Sequence, residues 1–382
     1  MKRISEIRLT IIPTWGCNLR CRHCYQASRG FPSDVLPLEN AMKLFELVAT
    51  EVSRVKVILH GGEPTLCGGK YIGSLFSQMQ AIASRYEIEV SFVIQTNGML
   101  LNADFCTLLK SFGTAVGVSY DGMHHALFRG DSSDTVLNNI KTAQAQGLMV
   151  MALCVESETT IKDVILNYEW FKSRRIGYKI LPLYLTSGNI DLDVDPVTPT
   201  TYAKQMIALY CHWLFDTQCD ISIPTLEGLL CVFNNSTTSC RIGGDCIGKC
   251  LALMPNGDVG LCSHELPKKY IFANVTNLNK LDDIFTSTGY DAINVLNERR
   301  KLLCEPCEFS KICHGGCLAN VFHEGSPEKI GGPSCQRTKA LLSHLGRINS
   351  RIVEKYQRNP SKFNRRAREI LSGVRSTKKE KT

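Results

Sequence analysis

Cysteine spacing is the feature that most constrains this chain. The sequence holds 18 cysteines in 382 residues, and most of them fall into one group near the N-terminus and one between residues 240 and 335. The first 17 residues contain three basic residues, a short apolar stretch and no small-residue cleavage site, so they do not resemble an export signal. In a long chain without such a signal, clustered thiols are more typical of metal ligands than of disulfides. We therefore expect a cytoplasmic, metal-binding protein.

Length and charge restrict the class of protein further. The chain is long enough for two domains, and no apolar run approaches the roughly 20 residues of a membrane helix, so we expect no membrane partner. The net charge is +8, but eight Lys/Arg and two Glu between Ser361 and Thr382 supply +6 of it (8 − 2). We interpret this segment as a short helix with a solvated or disordered end. The charge therefore does not indicate nucleic-acid binding, and an acidic peptide is the alternative partner for the tail.

The first 200 residues predict an α/β fold. Strands are predicted at 8–14, 55–61, 90–96, 114–120, 148–155 and 178–185, and helices at 38–51, 71–85, 102–112, 133–146 and 160–174. Apolar strands separated by helices indicate right-handed βαβ units and a parallel sheet covered on both faces. Six units are too few for a closed eight-stranded barrel, so we expect a partial (β/α)6 barrel or an open sheet. Ligands of such sheets bind at the carboxyl ends of the strands.

The chain changes character after this core. A further helix is predicted at 201–217, the segment 235–340 is rich in Cys and Gly, and a last helix is predicted at 338–356. A domain with so many thiols is held by metal more than by an apolar core. We divide the chain into a core (1–200), a helical bridge (201–234), a cysteine-rich domain (235–340) and a C-terminal helix with a basic tail (341–382).

The first cysteine group follows the first predicted strand directly. Cys17, Cys21 and Cys24 have the spacing C-x3-C-x2-C. Three thiolates on one loop can each bind one iron of a cubane cluster, which leaves the fourth iron open to another chelator. For the spacing alone, a zinc site with a distant fourth ligand is the alternative.

This loop resembles that of the radical S-adenosylmethionine (SAM) superfamily, C-x3-C-x-Φ-C, with His23 at the aromatic position Φ. The second strand runs into a segment similar to the family's GGEP motif. The resemblance implies that SAM binds the open iron and is cleaved to a 5′-deoxyadenosyl radical. Glycines allow close backbone approach, and a carboxylate can bind the ammonium of SAM. The SAM-binding residues implied here are His60, Gly61, Gly62, Glu63 and Pro64.

Two more strand ends, 94–98 and 118–122, resemble SAM-contacting segments of the family. The resemblance assigns Thr96, Asn97 and Ser119 to ribose or methionyl contacts. The run 119–129 is similar to a family pattern S-x-D-G…H-D-x-x-R, in which Arg129 would meet a carboxylate and Ala126 replaces the second Asp. The alternative for each polar residue is a turn former or a helix cap.

The second cysteine group supplies eight thiols, enough for two clusters with four cysteine ligands each. Its spacings resemble the SPASM extension of peptide- and protein-modifying radical SAM enzymes. The resemblance implies one auxiliary cluster on Cys240, Cys246, Cys262 and Cys317, and a second on Cys304, Cys307, Cys313 and Cys335. Cys250 competes with Cys240 for its place. Full ligation implies electron transfer rather than substrate binding, and a zinc ribbon is the alternative for the run from Cys304 to Cys317.

The other cysteines are interpreted as core residues. They are Cys67, Cys106, Cys154, Cys211, Cys219, Cys231 and Cys250. Among them, Cys231 and Cys250 are the candidates for donating a hydrogen atom to a substrate radical.

The resemblance implies hydrogen abstraction from a peptide or protein. Sulfatase maturases carry an Asp directly after the equivalent of Cys262, where this chain has Ser263. We therefore predict a maturase that installs an oxidative cross-link, a thioether or a carbon–carbon bond, in a precursor peptide. The alternatives are formylglycine formation, peptide epimerisation and, in another class, a non-catalytic iron–sulfur electron carrier. Candidate general bases are Asp121, His264 and Glu265.

Cofactors and partners follow from the same resemblance. We expect three [4Fe–4S] clusters, SAM, a precursor peptide and an electron donor such as flavodoxin or ferredoxin. Because 16 residues precede Cys17, we expect leader recognition by a separate leader-binding protein or by the basic C-terminal segment.

Overall fold

A continuous sheet organises the chain in the computed structural model, which describes residues 4–183, 195–233, 242, 246–262, 267–325 and 327–379. Within those residues the sheet has nine strands in the order β6-β5-β4-β3-β2-β1-β7-β8-β9. The strands are β1 Ile7–Ile11, β2 Arg54–Leu59, β3 Glu89–Thr96, β4 Ala115–Ser119, β5 Val150–Glu156, β6 Gly177–Pro182, β7 Cys250–Leu253, β8 Asp258–Gly260 and β9 Ala273–Asn274.

The six predicted parallel strands are confirmed. Each of β1 to β6 pairs in parallel with its sequence neighbour, and the α/β partial barrel is the observed fold. Strand β1 ends at Ile11, before the predicted limit, because Pro13 has no N–H to donate to a ladder. Burial alternates along the strands, as in β5, where every second residue is only half-buried. The inner face of the sheet is therefore less covered by other parts of the protein than the outer face. It borders the site described below.

Helices connect the parallel strands as predicted. They are α1 Leu38–Ala49, α2 Gly68–Arg85, α3 Ala103–Ser111, α4 His125–Arg129, α5 Ser133–Ala145, α6 Val164–Ser173, α7 Pro199–Phe215 and α8 Pro224–Val232. Helix α1 shows why they pack: Ala41, Leu44, Phe45 and Val48 are buried, a spacing that puts four apolar side chains on one helical face. The short helix α4 was not predicted.

The cysteine-rich segment joins the core sheet, which the sequence did not indicate. Strand β7 pairs in parallel with β1, with Arg8 opposite Cys250 and Ile11 opposite Leu253. Strands β8 and β9 then continue the sheet in antiparallel pairing. Leu251, Ala252 and Leu253 are fully or almost fully buried. The core and the cysteine-rich segment therefore share backbone hydrogen bonds and apolar packing.

The rest of the described chain is helical: α9 Asp282–Phe285, α10 Thr288–Cys304, α11 Ser310–Cys313, α12 Leu318–His323, α13 Pro333–Arg358 and α14 Arg365–Lys379. The helix predicted at 338–356 lies within α13. The short helix expected in the tail is present as α14, and the start of the tail packs against the rest of the chain, because Phe363, Asn364, Ala367 and Leu371 are buried. Phe363, Ala367 and Leu371 recur every four residues, a helical spacing that gives the basic helix one apolar face.

None of the helices in the described ranges combines the length and the apolar character that crossing a membrane requires.

Candidate active site

A cavity of about 210 Å³ opens at the carboxyl ends of the strands. Ten of the residues predicted from the sequence line it: Cys17, Cys21, Cys24, His60, Gly61, Gly62, Thr96, Asn97, Ser119 and Arg129. Glu63, Pro64 and Asp121 are buried and are not among its lining residues. The structure thus brings together the cysteine loop and most of the predicted SAM-contacting residues.

The cysteine loop and the GGEP segment are locked together by their backbones. Gly62 N donates to Thr14 O at 3.0 Å, and Glu63 N donates to Gly16 O at 2.8 Å. A Cβ on Gly62 would lie 2.1 Å from Gly16 O and 2.4 Å from Trp15 O. Glycine is therefore required at Gly62 because any side chain would separate the two loops.

Glu63 has a different environment from the one expected for a ligand of SAM. Its fully buried carboxylate accepts hydrogen bonds from Thr65 N and Oγ1, Thr96 Oγ1 and Asn97 N at 2.6 to 3.0 Å. Burial raises the pKa of Glu63, while these donors counteract the rise. Four donors fill the usual acceptor capacity of a carboxylate, so Glu63 ties the end of β2 to the end of β3. Its contact with the SAM ammonium stays a prediction.

Arg129 connects the fourth strand end to the cysteine loop. Its Nε donates to Asp121 Oδ2 at 2.6 Å, its Nη1 to Cys21 Sγ at 3.7 Å, and its Nη2 lies 3.1 Å from His23 Nε2. Burial alone would raise the pKa of Asp121, but the charge of Arg129 holds it below its ordinary value. Asp121 also accepts from Val155 N at 2.8 Å. An ionised, paired and enclosed carboxylate is a poor general base, so the structure argues against that role for Asp121.

Two histidines at the cavity are neutral near physiological pH. Burial, aided by the charge of Arg129, lowers the pKa of His23 to about 3, and burial lowers that of His60 to about 4. Arginine has no acceptor, so His23 Nε2 must accept and its proton lies on Nδ1. His60 Nδ1 accepts from Gly61 N at 2.7 Å, which leaves Nε2 of His60 as a donor. Both rings are therefore fixed hydrogen-bonding groups rather than proton acceptors.

The three thiols have the chemistry of metal ligands. Cys17 Sγ accepts from Leu19 N at 3.5 Å and from Asn97 Nδ2 at 3.8 Å, bonds that favour a thiolate. Burial raises the pKa of Cys17, and it raises that of Cys24 to about 11. Without metal these buried thiols are protonated, so binding iron must release protons. Three soft sulfur donors on one cavity wall fit an iron–sulfur cluster.

The spacing of the sulfurs disfavours zinc. Thiolates about 2.3 Å from one tetrahedral zinc stand about 3.8 Å apart. Across the described ranges, the one group of three or more His, Cys, Asp or Glu ligand atoms within 4.8 Å of one another is Glu169, His212 and Asp216. Lys172 Nζ lies 2.6 Å from both carboxylates of that group, which is therefore an ion-pair cluster. The cysteine groups are not arranged around a single small ion.

A second cavity gathers the other predicted thiols. It is lined by Cys304, Cys307, Cys313 and Cys335, the four residues assigned to one auxiliary cluster, and also by Cys317. His314, Gly315 and Gly316 all have positive φ, so a left-handed turn connects Cys313 to Cys317. Of the other predicted set, Cys246 and Cys262 are half-buried, and Cys240 lies outside the described residues.

Some residues that line the first cavity were not predicted from the sequence, and some predicted residues lie outside the described ranges. Tyr25, Gln26, Phe31, Gln95 and His323 also line the first cavity. Gln26 and Gln95 brace it, through Nε2 bonds to Gly61 O at 2.9 Å and to Ser119 Oγ at 3.1 Å. Tyr25, Gln26, Phe31 and Gln95 stand close to the sequence motifs, and that position could have indicated them. His323 belongs to α12, far from these motifs in the sequence, and had no such signal. His264 and Glu265 lie outside the described residues, and Cys231 and Cys250 do not line the cavity.

Comparison with known proteins agrees with this geometry. The family described as the Radical SAM superfamily matches residues 11–165. The cysteine-type anaerobic sulfatase-maturating enzyme of Clostridium perfringens is 26% identical over 332 residues, 79% of this chain and 86% of that enzyme. The serine-type enzyme of Klebsiella aerogenes is 23% identical over 344 residues, 83% and 80% of the two chains.

Solved structures share the fold. Native anSMEcpe with bound AdoMet and Cp18Cys peptide superposes with a TM-score of 0.77 at 22% identity, covering 91% of this chain and 99% of that one. Streptococcus suis SuiB bound to precursor peptide SuiA gives a TM-score of 0.63 at 18% identity, covering 87% and 76%.

The chain is a radical SAM enzyme with its radical SAM domain at residues 11–165. As such it uses a [4Fe–4S] cluster and SAM, which together supply a 5′-deoxyadenosyl radical when bound. It is homologous to the anaerobic sulfatase-maturating enzymes along most of both chains.

Proposed function

We propose that this enzyme oxidises a peptide or protein segment by removing two hydrogens from it. The observation that carries the proposal is the similarity, over 79% of this chain and 86% of its relative, to an enzyme named for maturing sulfatases. The cavity supports it, because apolar side chains of β5 and β6 (Leu153, Val155 and Leu181) line it together with the cysteine loop.

The first cavity supplies the residues for the initial step. Cys17, Cys21 and Cys24 are the proposed ligands of the reactive cluster. The cavity-lining backbone at Gly61 and Gly62 and the polar groups of Thr96, Asn97 and Ser119 are the proposed contacts of SAM. His60, Glu63, Pro64 and Arg129 complete the predicted set. Arg129 would hold the cysteine loop through Cys21 and His23 in addition to facing a carboxylate.

Oxidation requires a second electron to leave the substrate. A substrate carbon first loses one hydrogen atom to the radical. The thiol or hydroxyl of the same residue, or a cross-linking partner group, then loses a proton as it bonds to that carbon, and one electron must leave the substrate. We propose that two auxiliary [4Fe–4S] clusters, which would be held by Cys240, Cys246, Cys262 and Cys317 and by Cys304, Cys307, Cys313 and Cys335, would supply the acceptor for this electron. A flavodoxin or ferredoxin would supply reducing electrons.

Two products are consistent with this chemistry. Formylglycine, an aldehyde, is supported by the similarity to both cysteine-type and serine-type sulfatase-maturating enzymes. A thioether or carbon–carbon cross-link is supported by Ser263, which stands where the maturases carry Asp, and by the shared fold of SuiB. A leader-binding partner or the basic tail would serve a cross-linking enzyme that acts on a precursor.

Mass spectrometry of peptides distinguishes these outcomes. Short peptides encoded beside the gene, and a sulfatase-derived Cys or Ser peptide, would each be co-expressed anaerobically with the enzyme. We expect one of them to lose the mass of two hydrogens. If a Cys becomes formylglycine, sulfur is also exchanged for oxygen, because water hydrolyses the thioaldehyde and releases sulfide. A hydrazide reagent labels the aldehyde and leaves a cross-link unlabelled.

Variants connect the product to the first cavity. Cys24→Ala should abolish both SAM cleavage and the mass change, whereas Cys211→Ala, a half-buried cysteine of α7 outside the cavity, should retain both. A peptide that keeps its mass in ordinary water but gains deuterium in heavy water would instead indicate epimerisation. That result would contradict the proposed oxidation.

A further inference from the structure

A buried arginine, Arg300, lies beside the second group of thiols. Arg300 is 3% exposed and lines the cavity shared by Cys304, Cys307, Cys313 and Cys335. It lies four residues before Cys304 in α10, so the two side chains are on the same face of that helix.

The guanidinium of Arg300 binds the loops that carry the other ligands. Nη2 donates to Gly315 O at 2.9 Å, in the left-handed turn after Cys313. Nη1 donates to Pro327 O at 2.8 Å and to Lys329 O at 2.6 Å, on the connection that leads to Cys335. One side chain therefore fixes two loops relative to α10. Its loss would leave three carbonyls without this donor.

The charge of Arg300 is not neutralised by a close ion pair. No carboxylate oxygen of the described part of the chain lies within 4.0 Å of the guanidinium, although Glu324 is nearby. Its nearest titratable neighbours are thiols, Cys304 and Cys335 foremost. Lys339 lines the same cavity. In a medium of low dielectric constant, such a cation stabilises added negative charge more than it would in water.

We propose that Arg300 is a positioning residue for the auxiliary cluster of Cys304, Cys307, Cys313 and Cys335, and that its buried charge raises the reduction potential of that cluster. The inference rests on the proposed ligand set. Reduction adds one electron to a cluster whose thiolates already make it anionic, and a buried cation favours the reduced form. A higher potential makes this cluster a better acceptor for the electron that leaves an oxidised substrate.

Redox titration of the full-length, iron-loaded protein tests both parts of the proposal. The cluster signal in electron paramagnetic resonance is first assigned by its loss in Cys313→Ser. Arg300→Met should shift the midpoint potential of that signal to more negative values and should lose iron to a chelator several-fold faster. Arg300→Lys keeps a charge but carries its donors on one nitrogen, so it cannot span the two loops as Nη1 and Nη2 do. It should show the faster iron loss with a smaller shift in potential.

The matched control is Arg299→Met, because Arg299 is the neighbouring, exposed arginine with only a surface contact to Glu328 at 3.7 Å. It should match the unsubstituted protein in both measurements. The role of Arg300 is overturned if Arg300→Met and Arg300→Lys keep the original potential and iron retention. A signal and iron content unaffected by Cys313→Ser would overturn the ligand set itself, and the inference with it.

Discussion

Buried charges at the strand ends have partners in the chain before any ligand binds. Glu63 is held by four donors from Thr65, Thr96 and Asn97, and Arg129 is held by Asp121. Such fixed groups do not have to reorganise when SAM binds, which is the usual advantage of a preorganised site. The motifs predicted which residues gather at the cavity. They could not predict the partners, because Arg129 meets Cys21 and His23 across more than 100 residues of sequence.

His323 is the residue that brings the cysteine-rich half into the reactive cavity. Its ring lies edge-on to Tyr25 with centroids 6.0 Å apart. An imidazole facing a substrate can position it or accept its proton near neutral pH. We expect His323→Asn to lower the yield of oxidised peptide per 5′-deoxyadenosine at least about tenfold while SAM cleavage continues.

Liquid chromatography of both products measures that ratio, and its dependence on pH separates proton transfer from simple packing. The control is His344→Asn, an exposed histidine of α13 bonded to Ala340 O. An unaltered ratio in His323→Asn would exclude a role in the oxidation.

The burial of Glu156 makes the stability of the protein depend on pH. This residue is fully buried at the end of β5, and burial raises its pKa to about 7 despite bonds from Thr160 and Asn167. Its unfolded pKa is about 4.3, so between these values the folded state binds more protons and stability falls as pH rises. Glu156→Gln should therefore stabilise the protein at about pH 8, on the order of 2 kcal/mol, and give little gain near pH 4.

Thermal unfolding at the two pH values tests this sign. Glu158→Gln is the matched control, because bonds from Thr198 and Thr201 lower the pKa of Glu158 against the effect of its partial burial. Its contribution is present above the unfolded pKa and lost as pH falls, so Glu158→Gln should cost stability at high pH. If both variants changed thermal stability with pH in the same direction, the raised pKa of Glu156 would be contradicted.

Among the elements, long apolar runs were predictable and short ones were not. Strands β1 to β6 followed from runs of five to eight residues, whereas β7 has only four residues. Its place beside β1 depends on long-range pairing that local pattern does not contain. The helix of the tail was expected but its packing was not: the basic charges are conspicuous, whereas the buried residues Phe363, Ala367 and Leu371 decide where helix α14 packs.

Phe363 tests whether the tail is a structural element. Its ring lies 4.9 Å from that of Phe215 and 5.4 Å from that of Tyr356, and Asn364 N donates to Leu214 O at 2.9 Å. Phe363→Ala should cost about 3 to 5 kcal/mol in the free energy of unfolding. The exposed neighbour Lys362 offers the control, because Lys362→Ala should change the free energy of unfolding by less than about 0.5 kcal/mol. Equal unfolding midpoints would show that the tail contributes nothing to stability.

At the scale of the whole molecule, the reactive and the cysteine-rich parts are joined by the sheet. Strand β1 has β2 on one side and β7 on the other, and Arg8 N and Ile12 N donate to Lys249 O and Leu253 O. Helix α7 packs extensively against α13. The sequence division into 1–200 and 235–340 stays a prediction, and the pairing of β7 with β1 shows that backbone hydrogen bonds connect its two parts.

A chain ending at Phe233 tests this coupling. It keeps the three cysteines of the first loop and all six parallel strands, but it leaves the outer edge of β1 unpaired and uncovers buried residues of α7 such as Trp213 and Leu209. An unpaired strand edge beside uncovered apolar surface favours aggregation. We expect this fragment to aggregate or to be digested rapidly by protease.

Full-length Cys313→Ser, which removes only one auxiliary ligand, should remain folded and keep the first cluster. A soluble, monomeric fragment that binds iron and cleaves SAM would show instead that the radical-generating half folds alone, with the cysteine-rich half attached only for electron transfer.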